Sequence, residues 1–287
     1  MQGVILRGIG GFYYVLSEGR EYECRARGIF RKDGITPLAG DRVEISIYDD
    51  ETGAVEKILP RLNAFDRPPA ANVEVLVLVM SARDPLPSFG LTDRFAVAAE
   101  RAGADLMICM NKTDLAEPAL LQRFGEIYGG LYPVFFLCGR TGEGIEALRA
   151  ALKGRQAALT GPSGAGKSTL TNLLLESERS ATGEISRRNL RGKNTTRHTE
   201  LFITEDFSLF DTPGFSAFDP ETMEEEELQH CFPEFRPYIG KCRFSDCMHL
   251  AEPDCAVTSA LKKGLISKSR YRSYKEMLQQ IKDNKEY

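Results

Sequence analysis

Residues Gly161-Pro162-Ser163-Gly164-Ala165-Gly166-Lys167-Ser168 follow the spacing G-x-x-x-x-G-K-[ST], and Thr169 comes directly after. Such a run is suited to holding phosphate. Its glycines let backbone N–H groups converge on an anion with no Cβ in the way. Lys167 would reach the β- and γ-phosphates of a nucleoside triphosphate, and the Ser168 hydroxyl would ligate its Mg2+. Residues 156–160 read as a strand before the loop and 168–175 as a helix after it. That helix would turn its positive end toward the phosphates. A glycine-rich turn without function needs no such strand–loop–helix setting.

A second cluster could select the base. Asn111-Lys112-Thr113-Asp114 ends the apolar run 106–110. The Asp114 carboxylate can accept from both N1–H and the exocyclic amine of guanine, a donor pair adenine lacks. Asn111 and Lys112 would brace the loop and cover the ring. Alone, these are common loop residues; beside a phosphate loop they point to guanine. Cys138-Gly139, after the strand at 132–137, could add a backbone N–H for guanine O6. An ordinary strand-to-helix turn fits those residues equally well.

Asp211-Thr212-Pro213-Gly214 follows the strand at 207–210. Asp211 would hold Mg2+ through water, and the Gly214 N–H would sense the γ-phosphate. Between this motif and the phosphate loop lies Gly192-Lys193-Asn194-Thr195-Thr196-Arg197-His198. A threonine there, Thr196 in preference to Thr195, would close on Mg2+. The magnesium set is then Ser168, Thr196 and Asp211. In ordinary GTPases the N-K-x-D motif comes last; here it precedes the phosphate loop, which is a circular permutation. Domain termini often lie close together, so such a cut is tolerable.

Cys242-x4-Cys247-x-His249-x5-Cys255 packs three thiols and one imidazole into a short span. Three sulfurs and one nitrogen suit tetrahedral Zn2+, and a site filled by four protein ligands would be structural. The alternative is a set of buried cysteines with an incidental histidine. Cys24, Cys109, Cys138 and Cys231 sit in strand-like or mixed contexts and read as packing residues.

Three kinds of element must position these groups. Residues 1–65 read as about five short strands with close turns, which suggests a small barrel of the OB type. Asp66-Arg67-Pro68-Pro69 reads as a linker. From 66 to 217, buried strands at 73–81, 106–110, 132–137 and 156–160 alternate with helices at 91–102, 116–128 and 143–152, implying a parallel sheet flanked by helices. From 218 to 287, an acidic run, the Cys/His cluster and a basic helix follow, with Tyr271, Tyr274, Leu278 and Ile281 on one face. The expected fold is thus multidomain: a β-barrel (OB-fold), a circularly permuted α/β P-loop GTPase core and a small mainly α zinc-binding domain.

The 287 residues carry 37 Lys/Arg against 41 Asp/Glu and have no Trp. No apolar run approaches the roughly 20 residues of a membrane span, and the N-terminus does not look like a signal peptide. A cytoplasmic chain without disulfides and without membrane contact is expected. The net charge of −4 hides a division. Residues 198–235 hold eleven acids and no Lys/Arg, so the rest of the chain is basic. Basic groups gather at 179–197, at 258–287 and on the barrel at Arg25, Arg27, Arg31 and Lys32. Solvated faces would account for each patch alone; together they favour RNA.

The combined motifs resemble the RsgA (YjeQ, YloQ) family, the bacterial circularly permuted GTPases of small ribosomal subunit biogenesis. The resemblance spans nearly the whole chain. It includes Gly40-Asp41-Arg42-Val43, Arg67-Pro68 before Asn72-Val73, the three nucleotide motifs with Phe215, and Cys242 through Cys255. It implies an OB-fold, a permuted GTPase and a zinc domain. It also implies GTP hydrolysis to GDP and phosphate, stimulated by the small subunit and its rRNA, by a monomer in late maturation. Docking would order the loop at 183–197. Many GTPases place a water-orienting glutamine after D-x-x-G; Phe215 stands there and cannot do that work. The family's G-x-H-T-T histidine is replaced by Asn194, whose amide can still position water. Thr196 and Asn194 are the catalytic candidates, and no catalytic base is assigned. A nucleotide-gated binding switch and a P-loop kinase or ATPase remain the competing classes, the latter opposed by Asn111–Asp114.

Overall fold

The computed structural model describes residues 1–28, 30, 34–66, 68–182, 199–215 and 223–285. Five strands open the chain: β1 (Gln2–Ile9), β2 (Phe12–Ser17), β3 (Arg20–Ala26), β4 (Arg42–Ile47) and β5 (Thr52–Ile58). They pair in the order β1-β2-β3-β5-β4, and β4 returns to β1, closing a barrel. Closure removes the exposed edges that a small open sheet would leave. Alternation fills the barrel with Ile5, Val15, Tyr22, Cys24, Val43, Ile45 and Val55. The N-terminal run shows no clean alternation because β1 pairs with β2, β4 and a strand of the next layer. Its Arg7 faces outward to Glu21 at 2.7 Å and to Glu200 at 3.1 Å.

The two ends of the expected linker, Asp66 and Pro69, lie in strands. β6 (Ala64–Asp66) and β7 (Pro69–Ala71) pair antiparallel, with Asp66 opposite Pro69. Prolines suit turns as well as linkers, so composition alone does not mark these strands. Buried Asp41 ties the barrel to this region, with both carboxylate oxygens 2.7 Å from the Arg61 guanidinium.

The central layer contains β8 (Val75–Ser81), α1 (Phe89–Ala102), β9 (Asp105–Asn111), α2 (Pro118–Tyr128), β10 (Val134–Phe136), α3 (Ile145–Leu152), β11 (Gln156–Thr160), α4 (Lys167–Thr182), β12 (Glu200–Ile203) and β13 (Ser208–Phe215). Strand order is β10-β9-β8-β11-β13-β12, parallel apart from β12. Every residue of β8 is buried, because its two faces meet two cores. Leu76, Leu78 and Met80 pack with Phe95 and Phe124. Val75, Val77 and Val79 pack with Leu148, Leu152 and Leu170. β13 runs on through the D-x-x-G residues instead of ending before them. Its pairing with β11 shifts register between Phe210 and Phe215, where Pro213 can donate no ladder hydrogen bond.

The C-terminal part contains α5 (Glu225–Leu228), two single turns at Gln229–Cys231 and Pro233–Phe235, α6 (Ala256–Lys262) and α7 (Lys268–Lys285). Tyr271, Tyr274, Leu278 and Ile281 do face inward, against Phe232 and Phe235. Val97 of α1 joins this same core. α1 therefore packs on the sheet with one face and on the C-terminal part with another. Among the described residues, no helix is long and apolar enough to cross a membrane.

Candidate guanine-nucleotide site and Cys3His cluster

In a parallel α/β sheet, ligands gather beyond the carboxyl ends of the strands. The loops after β8, β9, β10 and β11 meet there. Gly161 and Gly166 leave room that other residues would fill. A Cβ on Gly161, where φ is +129°, would lie 2.1 Å from Val79 O. One on Gly166, where φ is +97°, would lie 2.2 Å from Asn111 Nδ2.

Asn111 joins three of the loops. Its Nδ2 donates to Ala165 O at 2.9 Å, inside the phosphate loop. Its Oδ1 accepts from Lys112 N at 2.8 Å and from Gly139 N at 3.0 Å. The base-side and phosphate-side motifs are thus fixed relative to one another, although 54 residues separate Asn111 from Ala165. Gly166→Ala should break this tie and cost about tenfold or more in guanine-nucleotide affinity, from roughly 1–3 kcal/mol of local strain. Titration with a fluorescent guanine nucleotide reads it; wild-type affinity would refute the brace.

A cleft of about 560 Å³ opens beside this brace, lined by Lys112, Asp114, Leu115, Cys138, Gly139 and Thr169 among others. That is enough for a nucleoside. Asp114 accepts from the Cys138 thiol at 3.3 Å and from Arg140 Nη2 at 3.0 Å. A carboxylate offers about four acceptor sites, so guanine's two donors can still be served. Thr113 Oγ1 donates to Leu137 O at 3.0 Å, pinning the turn. Gly139 N–H, a candidate donor to guanine O6, is bound to Asn111. Lys112 reaches away from the cleft floor to the carbonyl of Asp84 at 2.5 Å. The loop after β8 and the role of Arg140 carried no motif and were missed from sequence.

Lys167 Nζ donates to Gly161 O and Pro162 O, both at 2.8 Å, and burial lowers its pKa. The ammonium therefore lies across the loop it is expected to serve. Pro162, Ser163, Gly164 and Ala165 form the loop's bend, with Ala165 fully buried beneath it. Ser168 and Thr169 are exposed at the start of α4. Asp211 is half-buried opposite Glu200, and burial raises its pKa. A divalent cation beside it would offset that cost. Gly214 lies in β13. Asn194 and Thr196 lie outside the described residues, as do Arg31 and Lys32. Arg25 covers the Phe12 ring at 4.7 Å, and Arg27 pairs with Glu56 at 2.7 Å.

The second cluster is separate. His249 Nδ1 lies 3.5 Å from Cys242 Sγ, 3.5 Å from Cys247 Sγ and 3.4 Å from Cys255 Sγ. Cys242 Sγ and Cys255 Sγ are 3.9 Å apart. Tetrahedral Zn2+, with Zn–S near 2.3 Å and Zn–N near 2.0 Å, requires edges of about 3.8 and 3.5 Å. The four donors fit that ion. Burial first, and then the neighbouring Cys255 and Cys242, push the Cys247 thiol up to about 12, so a cation is what would make it a thiolate ligand. Cys24, Cys109, Cys138 and Cys231 are all buried, as packing residues should be.

Fold and site together define a circularly permuted P-loop GTPase with a barrel before it and a Cys3His cluster behind it. The chain belongs to the RsgA GTPase family, a family of GTP hydrolases. The RsgA GTPase model matches residues 58–221, and the RsgA N-terminal domain model matches 2–55. The chain is 42% identical to the small ribosomal subunit biogenesis GTPase RsgA of Agathobacter rectalis, over 100% of both chains. Identity is also 42% to that of Alkaliphilus metalliredigens, over 100% of this chain and 99% of the relative. Among solved structures, YjeQ from Thermotoga maritima matches with a TM-score of 0.85 at 33% identity, covering 98% of each chain. YloQ, described as a circularly permuted GTPase, matches at 0.82 and 36% identity, covering 98% of this chain and 95% of that one.

Proposed function

We propose that this chain binds the small ribosomal subunit and its rRNA, assists late subunit maturation, and hydrolyses GTP to GDP and phosphate faster when docked. It acts as a cytoplasmic monomer. The observation that carries the nucleotide half is the Asn111 brace, which holds a guanine-selecting carboxylate at a fixed distance from a phosphate loop. The ribosomal half rests on the full-length relatives and their names.

The chain divides at 1–65, 66–217 and 218–287. In the middle part, Asn111, Lys112, Thr113, Asp114, Cys138 and Gly139 hold the base, and residues 161–169 hold the phosphates. Ser168, Thr196 and Asp211 hold Mg2+, which would neutralise charge developing on the phosphates. Thr196 and Asn194 are the candidates for positioning water. Cys242, Cys247, His249 and Cys255 hold one structural Zn2+, closing a segment that otherwise has little secondary structure. The barrel offers Arg25, Arg27, Arg31 and Lys32 to RNA, with Phe12 as a stacking ring.

The test is multiple-turnover GTP hydrolysis with purified small subunits and with large subunits as control. A rise of tenfold or more with small subunits alone is expected. Binding should weaken steeply between 50 and 200 mM salt, as phosphate contacts require. Equal rates with both subunits, or flat salt dependence, would count against the reading.

A further inference from the structure

The geometry points to Gln229 as the positioning residue of the Cys3His centre: its amide oxygen holds the ring of His249 so that Nδ1 faces the three sulfurs. The inference rests on the metal reading above. His249 is 1% exposed, and its Nδ1 lies within 3.5 Å of each cysteine sulfur. The other ring nitrogen, Nε2, lies 2.9 Å from Gln229 Oε1.

The orientation of that amide is fixed independently. Gln229 Nε2 donates to Glu226 O at 3.2 Å, which leaves Oε1 as the atom turned to the imidazole. An amide oxygen only accepts, so the ring nitrogen facing it must carry the proton. The lone pair then sits on Nδ1, inside the cluster. A metal-bound histidine needs this arrangement, because the partner of its second nitrogen sets tautomer, ring angle and basicity.

The position of Gln229 matters as much as its chemistry. It lies 20 residues before His249, in the turn that follows α5, and not within the span that holds the ligands. Two ionic contacts hold this stretch to α1: Arg101 to Glu227 at 3.2 Å and Arg236 to Glu100 at 2.5 Å. Arg236 also donates to His230 O at 3.1 Å. The carbonyl of Glu226 in α5, the glutamine amide and the imidazole thus form one line of hydrogen bonds that ends on Nε2, with Nδ1 facing the sulfurs. Backbone contacts hold the remaining parts of the ligand loop. Tyr271 donates to His249 O at 2.6 Å and Tyr274 to Met248 O at 2.9 Å. These fix the chain trace; Phe235 and Tyr274 lie against the ring, with centroids 6.0 and 6.5 Å away, and Gln229 supplies the hydrogen bond to its Nε2 that selects which nitrogen faces the sulfurs.

The experiment uses the full-length chain. Zinc content is measured first, then the rate and equilibrium of zinc transfer to a chromophoric chelator, then the absorption spectrum with Co2+ in place of zinc. Gln229→Leu removes the acceptor at similar size and should weaken zinc retention about 10- to 100-fold, with a changed Co2+ ligand-field band. Gln229→Glu keeps an acceptor oxygen and should restore retention and spectrum toward wild type. If Gln229→Leu fails to fold, Gln229→Asn serves, since it withdraws the amide by one methylene and should move both readouts the same way. Wild-type zinc retention and an unchanged Co2+ band in Gln229→Leu or Gln229→Asn would overturn the role of Gln229 while leaving the metal reading intact. A wild-type chain that holds no zinc and gives no tetrahedral Co2+ band would overturn both.

Discussion

Replacing Asp114 by asparagine is expected to weaken GTP binding by about 100-fold or more and to admit xanthosine triphosphate. Guanine presents two donors on one edge, N1–H and the exocyclic amine. A carboxylate answers both; an amide answers one and sets its own N–H against the other. A hydrogen bond to a charged group is worth about 1.5–3 kcal/mol and a donor left facing another donor costs about 1–3 kcal/mol, so losing one and creating the other costs about 3 kcal/mol or more. Xanthine replaces the amine with a carbonyl oxygen, which the asparagine N–H can meet. Neighbouring groups sharpen the effect. The Cys138 thiol donates to one Asp114 oxygen at 3.3 Å and Arg140 to the other at 3.0 Å. An amide nitrogen at either position would face a donor. Competition titrations with GTP, ATP and xanthosine triphosphate decide the matter. Undiminished GTP affinity would remove Asp114 from base selection.

The second large effect is on folding. Arg270→Ala should destabilise the protein by about 3–5 kcal/mol, the range for removing one partner of a buried ion pair. The Arg270 side chain is 0% exposed, as is that of Asp93, which it meets at 2.9 Å; Glu234, met at 2.7 Å, is 7% exposed. The guanidinium also covers the Phe232 ring at 4.7 Å. Without it, two carboxylates stay buried with no cation. Tyr128 still donates to Asp93 at 2.8 Å, but a phenol does not neutralise the charge. Arg270→Lys should recover only part of the loss, because a point charge cannot make the paired contacts of a planar fork. Denaturant unfolding followed by tyrosine fluorescence measures this. A loss below about 1 kcal/mol would mean that the pair contributes no more than a surface one.

Asp93 lies on α1 of the nucleotide-binding layer, while Arg270 and Glu234 lie beyond the acidic run. The C-terminal part is therefore fixed to the helix that follows the loop after β8. That loop also takes the Lys112 ammonium. The attachment of the C-terminal part to α1 joins residues 177 apart, and no local pattern marks such a pair. A basic helix with one apolar stripe gives no sign that one of its arginines points inward.

Legibility differed by the range of the interaction. The P-loop, the N-K-x-D tetrapeptide and the Cys/His run are short, and their residue types are dictated by the ligand's chemistry. β8 was visible as an unbroken apolar run because both its faces are covered. β1 was not, since three partner strands blur its alternation. The short strands Ala64–Asp66 and Pro69–Ala71 were not legible, because the Asp66–Pro69 stretch reads as a linker and proline favours turns and linkers alike. The D-x-x-G residues were expected beyond a strand end, yet β13 continues through them because β11 still offers Thr160 as a partner.

The sequence by itself determined which chemistry is possible: a phosphate cradle, a carboxylate suited to guanine, a Cys3His set that fits a metal, and the permuted order in which they come. Those follow from residue identity and short spacing. The tertiary structure alone decided how they are held. Asn111 holds base loop and phosphate loop together, Gln229 meets the imidazole of the Cys3His cluster, and Arg270 binds the last part of the chain to α1. Each of these is a single polar side chain reaching a partner distant in sequence. Its value comes from burial and geometry that exist only once the chain has folded.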